Sequence, residues 1–202
     1  MKNFKRISLF SFFLVCIISA CTNLNESNSY SFTIKDHELI DDSLEELLVS
    51  SIQKVDKEAS KIEKVEIEEI NKDSDLVIAT FLMNKGKEKY HGVFIANEIG
   101  KQKYEFVDIE YTKISSEKLS VFHYIGTKPG NISQRIFISS GFINDKNIAN
   151  IYINYSDKKT SAIILNKDQK TFTEVRIGGE AKVDSIIGLS SSNAVIYEKN
   201  MK

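Results

Sequence analysis

His37, His91 and His123 are the three histidines in this chain of 202 residues, and they are the first residues to ask about metal binding or proton transfer. None is spaced as H-x-x-x-H, H-E-x-x-H or H-x-H, the patterns that bring two imidazoles to one metal from one local element. His91 and His123 fall in expected strands, where a neutral, hydrogen-bonded ring is the commoner role, and His37 sits between Asp36 and Glu38, whose side chains point away from it in an extended chain. A metal site would have to be assembled from distant strands, and none is assigned. Ser139-Ser140-Gly141 and Ser190-Ser191-Ser192 lack the G-x-S-x-G turn that exposes a nucleophile. Asp41-Asp42 and Glu68-Glu69 are adjacent pairs, and neighbouring side chains do not converge on one reacting centre. Gly178-Gly179 is a turn signal, and without a G-x-G-x-x-G or Walker loop there is no case for a nucleotide. A net charge of −1 gives none for nucleic acid. No catalytic residue and no cofactor is expected, and any ligand-binding residues are left open.

The one residue with a readable chemistry is Cys21. Lys2, Lys5 and Arg6 precede a fourteen-residue run, Ile7 to Ala20, whose polar members are Ser8, Ser11 and Ser19. A spanning helix needs about 20 apolar residues, so this run has the length of a secretory signal. It ends in Ile18-Ser19-Ala20-Cys21, which resembles the lipobox of bacterial lipoproteins. That resemblance implies that Ile18, Ser19 and Ala20 are read by a signal peptidase and that Cys21 takes a diacylglyceryl thioether. Cys16 follows Leu14 and Val15, too bulky for such a cleft. Residues 1–20 would be removed and the chain held by acyl chains on the extracytoplasmic face of the cell membrane, with no thiol left for a disulfide. The usage of 24 Lys against 3 Arg resembles that of AT-rich Gram-positive genomes.

The elements that would carry any site begin after a polar tether, 21–31. Ser43-Leu44-Glu45-Glu46 is a capping-box pattern. Leu44, Leu47, Leu48, Ile52, Val55, Ala59 and Ile62 then draw one apolar stripe, which predicts a helix of about five turns with acids early and lysines late. From Val65 the period becomes two, with strands expected at Val65–Ile70, Leu76–Met83, Tyr90–Ala96 and Tyr104–Tyr111. Asn84-Lys85-Gly86-Lys87 and Asn97-Glu98-Ile99-Gly100 supply turns. A helix followed by an antiparallel meander is similar in architecture to cystatin-like folds.

The second half predicts seven strands and no helix: Leu119–Ile125, Arg135–Phe142, Ile148–Tyr155, Ser161–Leu165, Thr171–Ile177, Val183–Leu189 and Asn193–Glu198. Lys128-Pro129-Gly130-Asn131 has the residues of a type II turn. The stretch Ser140-Gly141-Phe142 through Ile151-Tyr152-Ile153, and the ending Ile186-Ile187-Gly188 through Ile196-Tyr197-Glu198-Lys199, resemble segments of uncharacterised exported lipoproteins of Gram-positive spore formers. Phe172 is nearest to the large aromatic that such proteins place between them. The resemblance implies a sandwich-like region and carries no activity.

The fold expected is therefore α+β: an N-terminal helix packed on an antiparallel sheet (32–114), then a β-sandwich-like, all-antiparallel region (115–202). Residues 26–75 hold fifteen acids and six bases, and residues 76–202 hold thirteen acids and eighteen bases, an acidic front and a basic back. The functional expectation is a membrane-anchored, non-enzymatic binding or accessory module with envelope or secreted proteins as partners. The alternatives are an enzyme on envelope polymer with dispersed catalytic acids, and an inhibitor or immunity-type protein using its acidic helix.

Overall fold

The computed structural model describes residues 29–32, 39–101, 103–179 and 182–201. Strand accounts for 62% and helix for 9%, so the body is antiparallel β with one helix. In chain order the elements are β1 (Ser29–Phe32), β2 (Ile40–Asp41), α1 (Leu44–Val55), β3 (Ile62–Asp73), β4 (Leu76–Lys85), β5 (Glu88–Glu98), β6 (Tyr104–Lys113), β7 (Leu119–Lys128), β8 (Asn131–Ile143), β9 (Asn150–Tyr155), β10 (Thr160–Ile164), β11 (Thr171–Ile177), β12 (Val183–Leu189) and β13 (Val195–Asn200). They form three sheets. The first runs β1-β6-β5-β4-β3 with β2 also on β6, the second β11-β8-β7, and the third β10-β9-β12-β13.

Helix α1 starts where its cap places it, with Ser43 Oγ accepting from the Glu46 amide at 3.3 Å. The return half of the box is taken by Asp41, whose Oδ1 accepts from the Ser43 amide, instead of by Glu46. The helix stops after 12 residues, shorter than the five turns expected from the apolar stripe. Asp56 ends it: its carboxylate accepts from the Glu58 amide and is drawn to Lys85, which takes the backbone out of helical geometry. Ala59 then joins a short 3₁₀ turn and Ile62 opens β3.

Turn chemistry sets the meanders. Gly86, Gly100 and Gly130 have φ of +59°, +80° and +72°, a region that favours glycine, and the last completes the Pro129-Gly130 turn of the β7–β8 hairpin. Gly141 meets a different demand. A Cβ there would lie 2.3 Å from the Phe172 ring and 2.7 Å from the Ser120 carbonyl. The paired residue across the strands is Phe172 itself, which is fully buried.

Three apolar clusters fill the spaces between layers. Leu44, Leu47, Leu48 and Ile52 of α1 share one cluster with Val77, Phe81, Phe94, Ile109 and Tyr111 of the first sheet. The opposite face of that sheet, with Leu76, Ile78, Val93 and Ile95, clusters with Phe122, Tyr124, Ile136 and Ile138 of the second. Leu119, Ile143 and Phe172 on the far side of the second sheet cluster with Ile151, Ile153 and Ile186 of the third. β4 and β5 are therefore buried on both faces over most of their length. The long edge strand β3 carries much of the acidic front, with Glu63, Glu66 and Glu68 exposed along it. Charge on an edge strand blocks pairing with a foreign strand.

One ionic contact lies inside this frame. Lys85 Nζ is 2.8 Å from Asp56 Oδ2 with both side chains under 10% exposed (6% and 7%), and Tyr111 donates to the same oxygen at 2.8 Å. Burial pushes the Asp56 carboxyl up, but the hydrogen bonds from Lys85, the Glu58 amide and Tyr111 hold it below its ordinary value overall. Removing one member of a buried pair leaves the other charge poorly compensated, at a cost of about 3–5 kcal/mol, and the Glu58 carboxylate that Lys85 keeps at 3.2 Å sets the loss of Asp56 toward the low end of that range. Asp56→Ala should lower the stability of the chain by that amount in urea denaturation. Asp56→Leu combined with Lys85→Met should lose much less, and a loss under about 1 kcal/mol for the single change would contradict a structural role for the pair.

Candidate functional site

The residues singled out for lipid attachment, Ile18, Ser19, Ala20 and Cys21, lie outside the described residues, as do His37 and its acidic neighbours. No helix among the described residues is long and apolar enough to cross a membrane. Among them, too, no three His, Cys, Asp or Glu side chains come together as a metal site would require.

His91 and His123 both lie on strands, and neither is near the other's interface. His91 is sealed between the first and second sheets. Its Nε2 is 3.1 Å from Ser140 Oγ, and Ser140 also donates to the Phe172 carbonyl at 2.9 Å, with Thr173 and Thr80 continuing the chain of hydroxyls. Burial drives the imidazole down to about 4, so the ring is neutral, and its Nε2 is engaged in joining two sheets. This arrangement has no opening for a substrate.

The accessible polar groups of the same interface lie at its margin. β6 alternates so that Asp108 and Glu110 face the second sheet, and they line a groove of about 510 Å³ with Tyr124, Thr127, Ile132 and Arg135. Tyr124 donates to Asp108 Oδ2 at 2.8 Å. Gly126 makes room for that contact, since a Cβ there would lie 2.2 Å from the Tyr124 hydroxyl. Burial raises the Asp108 carboxyl, with Tyr124 and the Ile109 amide pulling it back in part. Burial, and then the charge of Asp108, push Glu110 up to about 7. A carboxyl group that keeps its proton near neutrality beside one with a hydrogen-bonded partner can serve as an acid and base pair, or as a proton-linked contact for a partner. The groove is flanked by two exposed isoleucines, Ile125 at 55% and Ile132 at 89%, on the β7–β8 hairpin.

A second opening lies on the other side of the second sheet. His123 and Ser139 are cross-strand neighbours, with Nδ1 to Oγ at 3.1 Å. They line a cavity of about 150 Å³ with Phe137, Lys182, Val183 and Met201 among its walls. Burial first, and the Lys199 charge second, lower His123 to about 4. Its Nε2 is buried with no hydrogen-bond partner.

Sequence reasoning passed over Asp108 and Glu110, and weighed Ser139 only as a nucleophile, not as a partner of His123. The alternation of Tyr104–Tyr111 does put Asp108 and Glu110 on one face, so that signal was present. The facing of His123 and Ser139 depends on a pairing sixteen residues apart that spacing alone does not show.

Because the raised carboxyl of Glu110 is protonated in the folded chain at a pH where the unfolded chain has lost the proton, its contribution is full below about 4.5 and is lost as pH rises through about 7. Glu110→Gln should therefore gain stability relative to the parent chain progressively between pH 5 and 8, measured by urea denaturation at each pH. A difference that stays constant over that range would contradict the raised carboxyl. Comparisons of the chain with protein-family models, with curated proteins and with solved structures found no match.

Proposed function

We propose that this chain is a lipid-anchored extracytoplasmic protein whose β body is a non-enzymatic binding or accessory module for a protein partner at the cell envelope. The anchoring part rests on Ile18-Ser19-Ala20-Cys21 behind its short apolar run; the tether expected over 21–31 is cut short at Ser29, because Ser29, Tyr30 and Ser31 belong to β1 and pair with β6. In this reading the helix-plus-sheet unit (32–114) and the β-sandwich-like unit (115–202) together form the body. The binding part rests on one observation, the exposed Ile125 and Ile132 flanking the groove of Asp108, Glu110 and Arg135. Apolar side chains ringed by charges of both signs suit a polar-rimmed protein contact. Five of the fifteen acids of the front lie along β3 and Asp56 is paired with Lys85, which leaves fewer for an inhibitor that works through an acidic helix.

A second reading is favoured by Glu110. A carboxyl raised to about 7 next to Asp108 in an open groove fits an enzyme that hydrolyses envelope polymer, with Glu110 as general acid and Asp108 as its ionised companion.

Two experiments on intact cells test the two parts of the first reading. A photo-crosslinking residue at position 132 in the full chain should yield a discrete adduct with an envelope or secreted protein, and Glu110→Lys should reduce it at least severalfold. Cys21→Ala should abolish labelling with radioactive palmitate. Labelling that persists would overturn the anchor, and the absence of any adduct would overturn the groove as a partner site. Release of soluble fragments from cell-wall polymer, lost in Glu110→Gln, would favour the enzyme.

A further inference from the structure

We infer that the end of the first sheet where the chain enters the body is a contact surface for the headgroups of an anionic phospholipid membrane, with Lys87, Lys89 and Lys170 as its charges. This rests on the lipid anchor proposed above at Cys21. Reach comes first. Seven residues, Thr22 to Asn28, separate Cys21 from Ser29, where β1 begins. At about 3.3–3.6 Å per residue the link spans at most about 28 Å. Ser29 pairs with Thr112, and Thr112 with His91 on its other side. Two residues further toward the same end, the Ile114 amide donates to the Lys89 carbonyl. The tether therefore joins the body beside the β4–β5 hairpin, whose turn carries Lys87.

Charge selects the partner. At this end Lys61, Lys64 and Lys113 are paired with Glu58, Glu66 and Glu88. Across 57–66, 85–89 and 167–170, five lysines but only two acids, Glu63 and Asp168, stand outside every ion pair of the described residues. Lys89 and Lys170 come from different sheets and line, with Lys64 and Asn84, a pocket of about 120 Å³. Its one acid, Glu66, is taken by Lys64. The pocket is small beside the roughly 300–1,000 Å³ of an organic ligand site, and suits a phosphate group.

Acids prevail at the opposite end. Asp41, Asp42, Glu45 and Glu46 surround the start of α1, Asp75 lies in the β3–β4 turn, and Glu105 pairs with Ile40. Lys72, Lys103 and Lys128 there are paired with acids, which leaves Lys101. An anionic surface repels that end and attracts the lysines within about a Debye length, so its field and the tether turn the same end toward the bilayer. The β7–β8 hairpin that flanks the groove lies at the far end, with Lys128 on Asp73, and so faces away from the membrane.

The test uses the mature full chain purified from membranes, its acylation at Cys21 read by mass spectrometry. It is placed in nanodiscs of equimolar phosphatidylglycerol and phosphatidylcholine, or of phosphatidylcholine alone. A donor fluorophore on Ser116→Cys, in the β6–β7 loop, or on Ser74→Cys, in the β3–β4 turn, reports energy transfer to a headgroup-labelled lipid. Transfer from position 116 should exceed that from position 74 severalfold in the anionic discs. The excess should shrink severalfold in phosphatidylcholine alone, in high salt, and in the triple variant Lys87→Glu, Lys89→Glu, Lys170→Glu, whose three positions are exposed. Equal transfer from the two positions in anionic discs, or an excess unchanged in phosphatidylcholine or in the triple variant, would overturn the lysine surface. A chain with no acyl group on Cys21 would overturn the anchor and this inference with it, whereas an acylated chain with equal transfer overturns the surface alone.

Discussion

The constraint on which the structure depends is that its first and second sheets are covered on both faces. A sheet in the middle of a stack has no solvent side, so each strand must offer apolar groups in both directions, and any polar group it carries must find its partner across an interlayer space. Each boundary holds a polar pin of this kind. Asp56, Lys85 and Tyr111 join the end of α1 to the first sheet. His91 and Ser140 join the first sheet to the second. Between the second and third sheets, Ser161 donates to Glu174 at 2.5 Å and Arg176 reaches Asp157 at 3.0 Å while stacking on the Tyr155 ring. The apolar clusters supply the driving force, and the directional contacts of the pins favour one way of laying each layer on the next, although Arg176 Nη1 is buried without a hydrogen-bond partner.

The same constraint separates the buried polar residues from those that can act. Burial lowers His91 and His123 alike, both well below an ordinary histidine, yet one is tied to Ser140 across an interface and the other keeps a buried Nε2 with no hydrogen-bond partner. Asp108 and Glu110 lie at the margin of an interface whose interior is closed. Function, in this molecule, is looked for where a layer boundary runs out to solvent, because only there are desolvation and access combined.

Much of the local structure was legible in the residues. Ser43 starts α1, Gly86, Gly100 and Gly130 make turns where their spacing predicts them, and all seven strands of the second half form. The end of α1 was not legible, because Ala59 and Ile62 continue the helical period by accident while the deciding contact, Asp56 with Lys85, spans 29 residues. Strands β1 and β2 are too short to show a period. The run Leu76–Met83 predicts a strand, but its burial on both faces becomes visible only when the second sheet is in place. The candidate sites divide in the same way. Asp108 and Glu110 were readable from alternation along one strand, whereas the pairing of His123 with Ser139, and of His91 with Ser140, required the register of the sheets.

If the layers form one body held by shared cores, they should open together. Native-state hydrogen exchange of the full chain tests this directly. Slowly exchanging amides of β4 and β5 in the first sheet, β8 in the second and β9 in the third should converge on a single opening free energy equal to that of global unfolding. Exchange in which residues 119–200 open at a free energy several kcal/mol below that of the first sheet would contradict the shared core and return the two halves to separate domains.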